Sequence, residues 1–128
     1  MNVLGVSEGF HDAGLCLLRD ERIYFASHSE RHSRKKGDKW LHESQLPISK
    51  NNKPDVVAYY EKPFRKNLRR LYAGQKWQKL RRRKYDMFFG HHECHAAAGY
   101  YTSPFDECNV LVIDAIGEWD TMSIWHCK

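Results

Sequence analysis

Three short apolar runs fall within the first 27 residues: NVLGVS at 2–7, AGLCLL at 13–18 and IYFAS at 23–27. The connections between them, EGFHD and RDER, are five and four residues long. A parallel crossover needs about a dozen residues or more, so connections this tight dictate an antiparallel meander of three strands. The segment 28–53 is polar and irregular, with a short helix expected near Leu41 and a loop at Asn51-Asn52-Lys53-Pro54. The compact run VVAYY at 56–60 reads as a central strand. Phe64, Leu68, Leu71 and Tyr72 then recur at helical spacing, with Trp77 and Leu80 further on, and Gly74 is placed to break or bend that helix. A short strand at 87–89, a helix at 92–101 carried by its alanines, and strands at 109–113 and 122–127 complete an α/β order.

Two stretches share one pattern. VLGVSEGFHDAGLCLL near the start and VLVIDAIGEWDTMSIW near the end both read as apolar strand, polar glycine-containing turn and apolar strand. This is a weak internal repeat, and it suggests a duplicated fold whose second copy begins at about residue 109. An unpaired sheet edge at 109–127 is expected to drive association.

The chain has 128 residues, enough for one core. Its net charge of +5 is local: eleven Lys and Arg and no acid lie between 62 and 84, and the remainder is slightly acidic. The basic stretch is expected to form a helix with an apolar stripe toward the core and a cationic outer face. No apolar run approaches the roughly 18 residues of a membrane span. The N-terminus lacks the basic and apolar regions of a signal peptide, so the expectation is a cytoplasmic protein without a membrane partner. Cys16, Cys94, Cys108 and Cys127 form no CxxC pair, and reduced thiols are expected.

The segment FGHHECHAAAGYYTSP concentrates the chemistry. His91 and His95 stand four apart, one helical turn, which puts both rings on one face. Two neutral imidazoles so placed can bind one divalent cation. A cation at a helix N-terminus meets the positive end of the dipole and needs a carboxylate beside it; Asp114, ending the next strand, is the candidate. The same spacing also suits a capping His91 and a merely packed His95, and spacing alone leaves both readings open.

Five blocks in order resemble the carbamoyltransferase family that includes nodulation-factor and antibiotic-tailoring O-carbamoyltransferases. They are LGVSEGFHDAGLCLLRDERI, SERHSRKKGD, VAYYEKPFRK, HHECHAAAGYYTSPF and VIDAIGEWDTMSI. The resemblance implies an actin-like ATPase fold of two RNase-H-like halves. The chain would be one incomplete domain, with residues 1–106 as the first half and 107–128 as the opening hairpin of the second. It implies activation of carbamoyl phosphate by ATP to a carbamoyl adenylate, and transfer of the carbamoyl group to a hydroxyl-bearing small molecule. It implies a divalent metal, iron or similar, held by His91, His95 and Asp114. A further carboxylate and a second domain would lie beyond Lys128, so the chain is expected to be inactive alone or completed by another chain that supplies the missing half.

By the same resemblance, His11 faces the transfer site and accepts the acceptor's proton; otherwise it is a turn histidine bonded to backbone. Lys35 and Lys36 suit stabilisation of phosphate or carbonyl charge, or form a solvated basic loop. Gly117 would let backbone amides approach phosphate, with Glu118 beside it, or Glu118 and Trp119 stabilise the fold. The sequence departs from the family at Glu93, Cys94, Ala115 and Asp120; a sulfur ligand at Cys94 would favour zinc. Two other functions fit parts of the chain. One is the tRNA threonylcarbamoyl-transfer type of metalloprotein, which shares HxxxH but is opposed by the Glu-Lys-Pro and Gly-Glu-Trp blocks. The other is a non-catalytic basic module that binds nucleic acid or an acidic partner.

Overall fold

The computed structural model of the chain describes residues 1–45, 53–81 and 85–128. Asn51 and Asn52 of the expected loop, and Arg82, Arg83 and Lys84 of the basic stretch, lie outside the described residues. The chain divides into two compact units: Met1–Tyr60 with Gln78–Phe88, and Glu61–Trp77 with Phe89–Lys128.

The first unit is built on a five-stranded sheet. Strands β1 (Asn2–Ser7), β2 (Gly14–Arg19) and β3 (Arg22–His28) form the expected meander, antiparallel throughout, with a bulge at Leu17/Leu18. Strand β4 (Val56–Tyr59) pairs parallel to β1, and β5 (Met87–Phe88) parallel to β4, giving the order β3-β2-β1-β4-β5. Asp20 and Glu21, which turn β2 into β3, have φ of 47° and 65°. Positive φ at both positions matches the twist of the strands they join. The amino group of Met1 holds the Asp20 carboxylate at 2.6 Å.

One face of this sheet carries the core of Leu4, Val6, Ala13, Leu15, Leu17, Leu41 and Tyr59. Tyr59 is fully buried, its ring against Tyr60, Tyr85 and Phe88, and its hydroxyl donates to the carbonyl of Glu8. Residues 28–45 are more ordered than their composition predicts. They contain a helix α1 (Glu30–Ser33) and a 3-10 turn at Glu43–Gln45, the latter close to the helix expected near Leu41. Buried Gln45 explains the order: Ser29 Oγ donates to its Oε1 at 2.7 Å and its Nε2 donates to the Ser27 carbonyl at 3.2 Å. A buried amide satisfied on both ends pins its backbone.

The second unit holds helices α2 (Pro63–Tyr72) and α3 (His91–Tyr101) and the antiparallel hairpin of β6 (Cys108–Ile113) and β7 (Met122–Cys127). Helix α3 covers one face of the hairpin, burying Ala96 and Val112. Alternation places Leu111, Ile113, Met122 and Ile124 on the other face, where all four are exposed.

The basic stretch breaks its helix at the expected glycine but departs from expectation in the face it buries. Its helix stops at Tyr72, and Gly74 at φ +71° carries the chain out of it. The apolar stripe faces outward: Phe64, Leu68, Leu71 and Tyr72 are 64%, 41%, 49% and 85% exposed, while Lys66 and Asn67 are buried. Helical spacing identifies a stripe but not the side it takes. Here an ion pair made by Lys66 sets the orientation.

Candidate metal centre

Helix α3 begins at His91 because Gly90 is its N-cap, extended at φ −71° and ψ 151°. The Glu93 carboxylate accepts the Gly90 N–H at 2.9 Å, closing the first turn. This start sets His91 and His95 on successive turns of one face. Strand β6 ends one residue before Asp114, whose N–H donates to the Thr121 carbonyl at 2.9 Å and closes the hairpin turn.

These elements converge. His91 Nε2 lies 2.9 Å from Asp114 Oδ2 and 3.0 Å from His95 Nε2. One ligand atom from each of the three residues falls within 4.8 Å of the others, the one such group of metal-binding side chains among the described residues. Ligands bonded at about 2.0–2.2 Å to a single cation stand roughly 3–4 Å apart, so the donors fit one ion after small side-chain adjustments. Two imidazoles and a carboxylate are also the donor set that suits a divalent iron with open positions. His91 is buried and His95 is exposed, which leaves one flank of the group accessible.

The electrostatics follow the geometry. The hydrogen bond that His91 donates to Glu61 holds His91 above the ordinary histidine value against the opposing effect of burial. Burial and the neighbouring His91 push His95 below it. Burial raises Asp114, but the Ala115 N–H and His91 outweigh it and hold the carboxyl below its usual range. Cys94 is not part of the group; burial first, then Glu93, pushes its thiol up to about 11. Such a thiol is a poor ligand near neutral pH, so soft coordination from this departure has no support.

Residues 52–128 match the family described as Carbamoyltransferase N-terminus. The chain belongs to this carbamoyltransferase family. A Synechocystis sp. protein described as uncharacterized is 28% identical over 170 aligned positions, covering 97% of this chain and 27% of its own length. A Methanocaldococcus jannaschii protein, also described as uncharacterized, is 47% identical over 48 residues, 36% of this chain and 8% of its own. The chain therefore spans about a quarter of the first relative's length and less than a tenth of the second's.

The other residues singled out in the chain are placed as follows. His11 is exposed in the loop after β1, and Lys35 and Lys36 are exposed just after α1. The two loops meet at one end of the first unit's sheet: Gly9 N–H donates to the Lys39 carbonyl at 2.6 Å and Ala13 N–H to the Asp38 carbonyl at 2.7 Å. In the second unit Gly117 donates its own N–H to the Asp120 carbonyl at 2.8 Å. Buried Glu118 accepts the Lys62 N–H at 2.6 Å and stands 3.5 Å from Arg65, tying the hairpin turn to the start of α2.

Gly117 passes close over the histidines. A Cβ there would stand 2.8 Å from His92 Cδ2 and 3.2 Å from His91 Cδ2. Gly117→Ala is therefore expected to cost about 1–3 kcal/mol by overpacking, seen as a lower urea midpoint. It is also expected to weaken divalent-ion binding in a titration, because His91 must move. An unchanged midpoint and unchanged binding would show that the turn gives way instead.

Sequence reasoning missed Glu61 and Lys66. Glu61 Oε1 lies 2.8 Å from both His91 Nδ1 and Lys66 Nζ, and Lys66 Nζ also reaches the Gly117 carbonyl at 3.4 Å. Burial alone would raise Glu61, but the bonds from His91 and Lys66 hold it below its ordinary value. The signal was the Glu in VAYYEKP, the first acid after a buried strand.

Proposed function

We propose that this chain contributes the metal-holding part of an ATP-dependent carbamoyltransferase with an actin-like ATPase fold. The reaction moves a carbamoyl group from carbamoyl phosphate, through a carbamoyl adenylate, to a hydroxyl of a small-molecule acceptor. The observation that carries this reading is the convergence of His91, His95 and Asp114 on α3 and β6 in a chain of this family. A divalent ion of the iron type, or zinc, held by these three would supply a Lewis acid for a phosphoryl or carbonyl oxygen. Asp114 offsets its charge and the exposed flank at His95 admits substrate. His11 accepts the proton of the attacking hydroxyl, the general-base role that a positioned imidazole commonly fills. Lys35 and Lys36 balance phosphate charge. Gly117 and Glu118 shape the nucleotide side, Gly117 by letting the turn lie close and Glu118 by anchoring it to α2.

Calorimetric titration tests this. Carbamoyl phosphate and a non-hydrolysable ATP analogue should bind the metal-loaded chain and bind markedly less once the metal is removed. Equal binding with and without metal would contradict the proposal.

A second reading draws on the outward face of α2. Phe64 pairs with Trp77, and Tyr72 with Trp119, at ring separations of 6.2 and 5.9 Å, beside Arg65 and Arg69. Exposed rings among cations suit stacking on single-stranded nucleic acid. Filter binding to RNA with a steep salt dependence would favour it, and no retention at low salt would end it.

A further inference from the structure

We infer that Glu61 is a positioning residue for the metal centre, its carboxylate holding the His91 proton on Nδ1 so that Nε2 faces the ion. The inference rests on the metal-centre reading above and deepens it.

A neutral imidazole carries one N–H, and only its other nitrogen can ligate a metal. His91 has a carboxylate on each side: Glu61 Oε1 at 2.8 Å from Nδ1 and Asp114 Oδ2 at 2.9 Å from Nε2. The two sides differ in freedom. Glu61 is fully buried, whereas Asp114 is partly exposed and stands among the other candidate ligands. An ionised carboxylate only accepts hydrogen bonds, so the bond to Glu61 requires the proton on Nδ1. Lys66, 5% exposed, keeps Glu61 in that form by donating to the same oxygen at 2.8 Å. With the Nδ1 proton fixed, the Nε2 lone pair points at the group formed with His95 and Asp114.

The backbone holds Glu61 where this is possible. Pro63 opens α2 two residues later, and the Lys62 N–H is bonded to Glu118 at 2.6 Å, so the segment cannot swing away. Glu61 Oε2 is buried with no hydrogen-bond partner among the described residues. Outer-shell carboxylates that accept a bond from a ligand histidine fix its tautomer and ring direction.

Long-range proton–nitrogen correlation spectra of the metal-free chain, recorded where the histidines are neutral, test the tautomer directly. His91 should appear with its proton on Nδ1. A proton on Nε2, or an even mixture, would overturn the inference whether or not any metal binds. Cobalt(II) titration of the chain and its variants tests the consequence. Glu61→Gln, which keeps an acceptor, should lose about tenfold in affinity and Glu61→Ala about a hundredfold, the range expected for outer-shell partners. Native-like circular dichroism should accompany both losses. Unchanged affinity in Glu61→Ala would overturn the positioning role. Failure of the unaltered chain to bind cobalt would instead count against the metal reading and leave the tautomer measurement to decide the role of Glu61.

Discussion

The chain carrying His91→Ala and His95→Ala together is expected to retain no divalent ion through purification, and to show none on titration below millimolar metal. The two imidazoles supply two of the three donors that converge beside β6. Structural zinc sites with four ligands gain about 10–16 kcal/mol on binding, or roughly 3 kcal/mol per ligand, so losing two should weaken binding by about 10⁴-fold. His126→Ala is the control, because that exposed histidine pairs with Glu107 at 3.2 Å, away from the group. It should leave the metal content as it was. Inductively coupled plasma mass spectrometry after desalting reads both results. Metal retained by the double variant at the level of the unaltered chain would remove the site.

Lys66→Met should be among the most destabilising single changes in the second unit. Glu61 is fully buried and Lys66 is its cationic partner at 2.8 Å. Removing one member of a buried pair leaves the other charge uncompensated, at about 3–5 kcal/mol. Domains of this size are stable by roughly 5–15 kcal/mol, so the urea midpoint should fall steeply. Replacing both members with apolar side chains of similar volume removes the stranded charge and is often neutral or better. The double variant Glu61→Leu, Lys66→Met should therefore recover much of the lost stability. Its metal affinity should stay low, because the bond to His91 Nδ1 is gone. Recovery of both properties together would mean that Glu61 acts on stability alone.

The parts of the fold visible beforehand are those governed by short-range rules. Connections of four and five residues admit only hairpins, and β1, β2 and β3 are antiparallel neighbours. The VVAYY run gave β4, flanked on both sides in the sheet, because a short continuous apolar run that follows a loop signal reads as a strand. The convergence at α3 was visible for a similar reason: one helical turn relates His91 to His95, and Asp114 sits where β6 ends. What was hidden depends on distant pairs. The inward face of α2 was misread because Lys66 and Asn67, polar by type, are the buried ones. Nothing local announces that Lys66 has a buried carboxylate to meet. Order in 28–45 likewise depends on Gln45 reaching Ser29, sixteen residues away. Glu118 reads as a turn acid beside a glycine, yet it is 4% exposed and bonded across 56 residues to Lys62.

The most direct measurement is an anomalous difference map from crystals of the chain grown with cobalt(II) or iron(II). The expected result is one strong peak at about 2.0–2.2 Å from His91 Nε2, His95 Nε2 and an Asp114 oxygen. A map with no peak there, or with the metal held elsewhere while those three side chains remain bonded to one another, would contradict the claim.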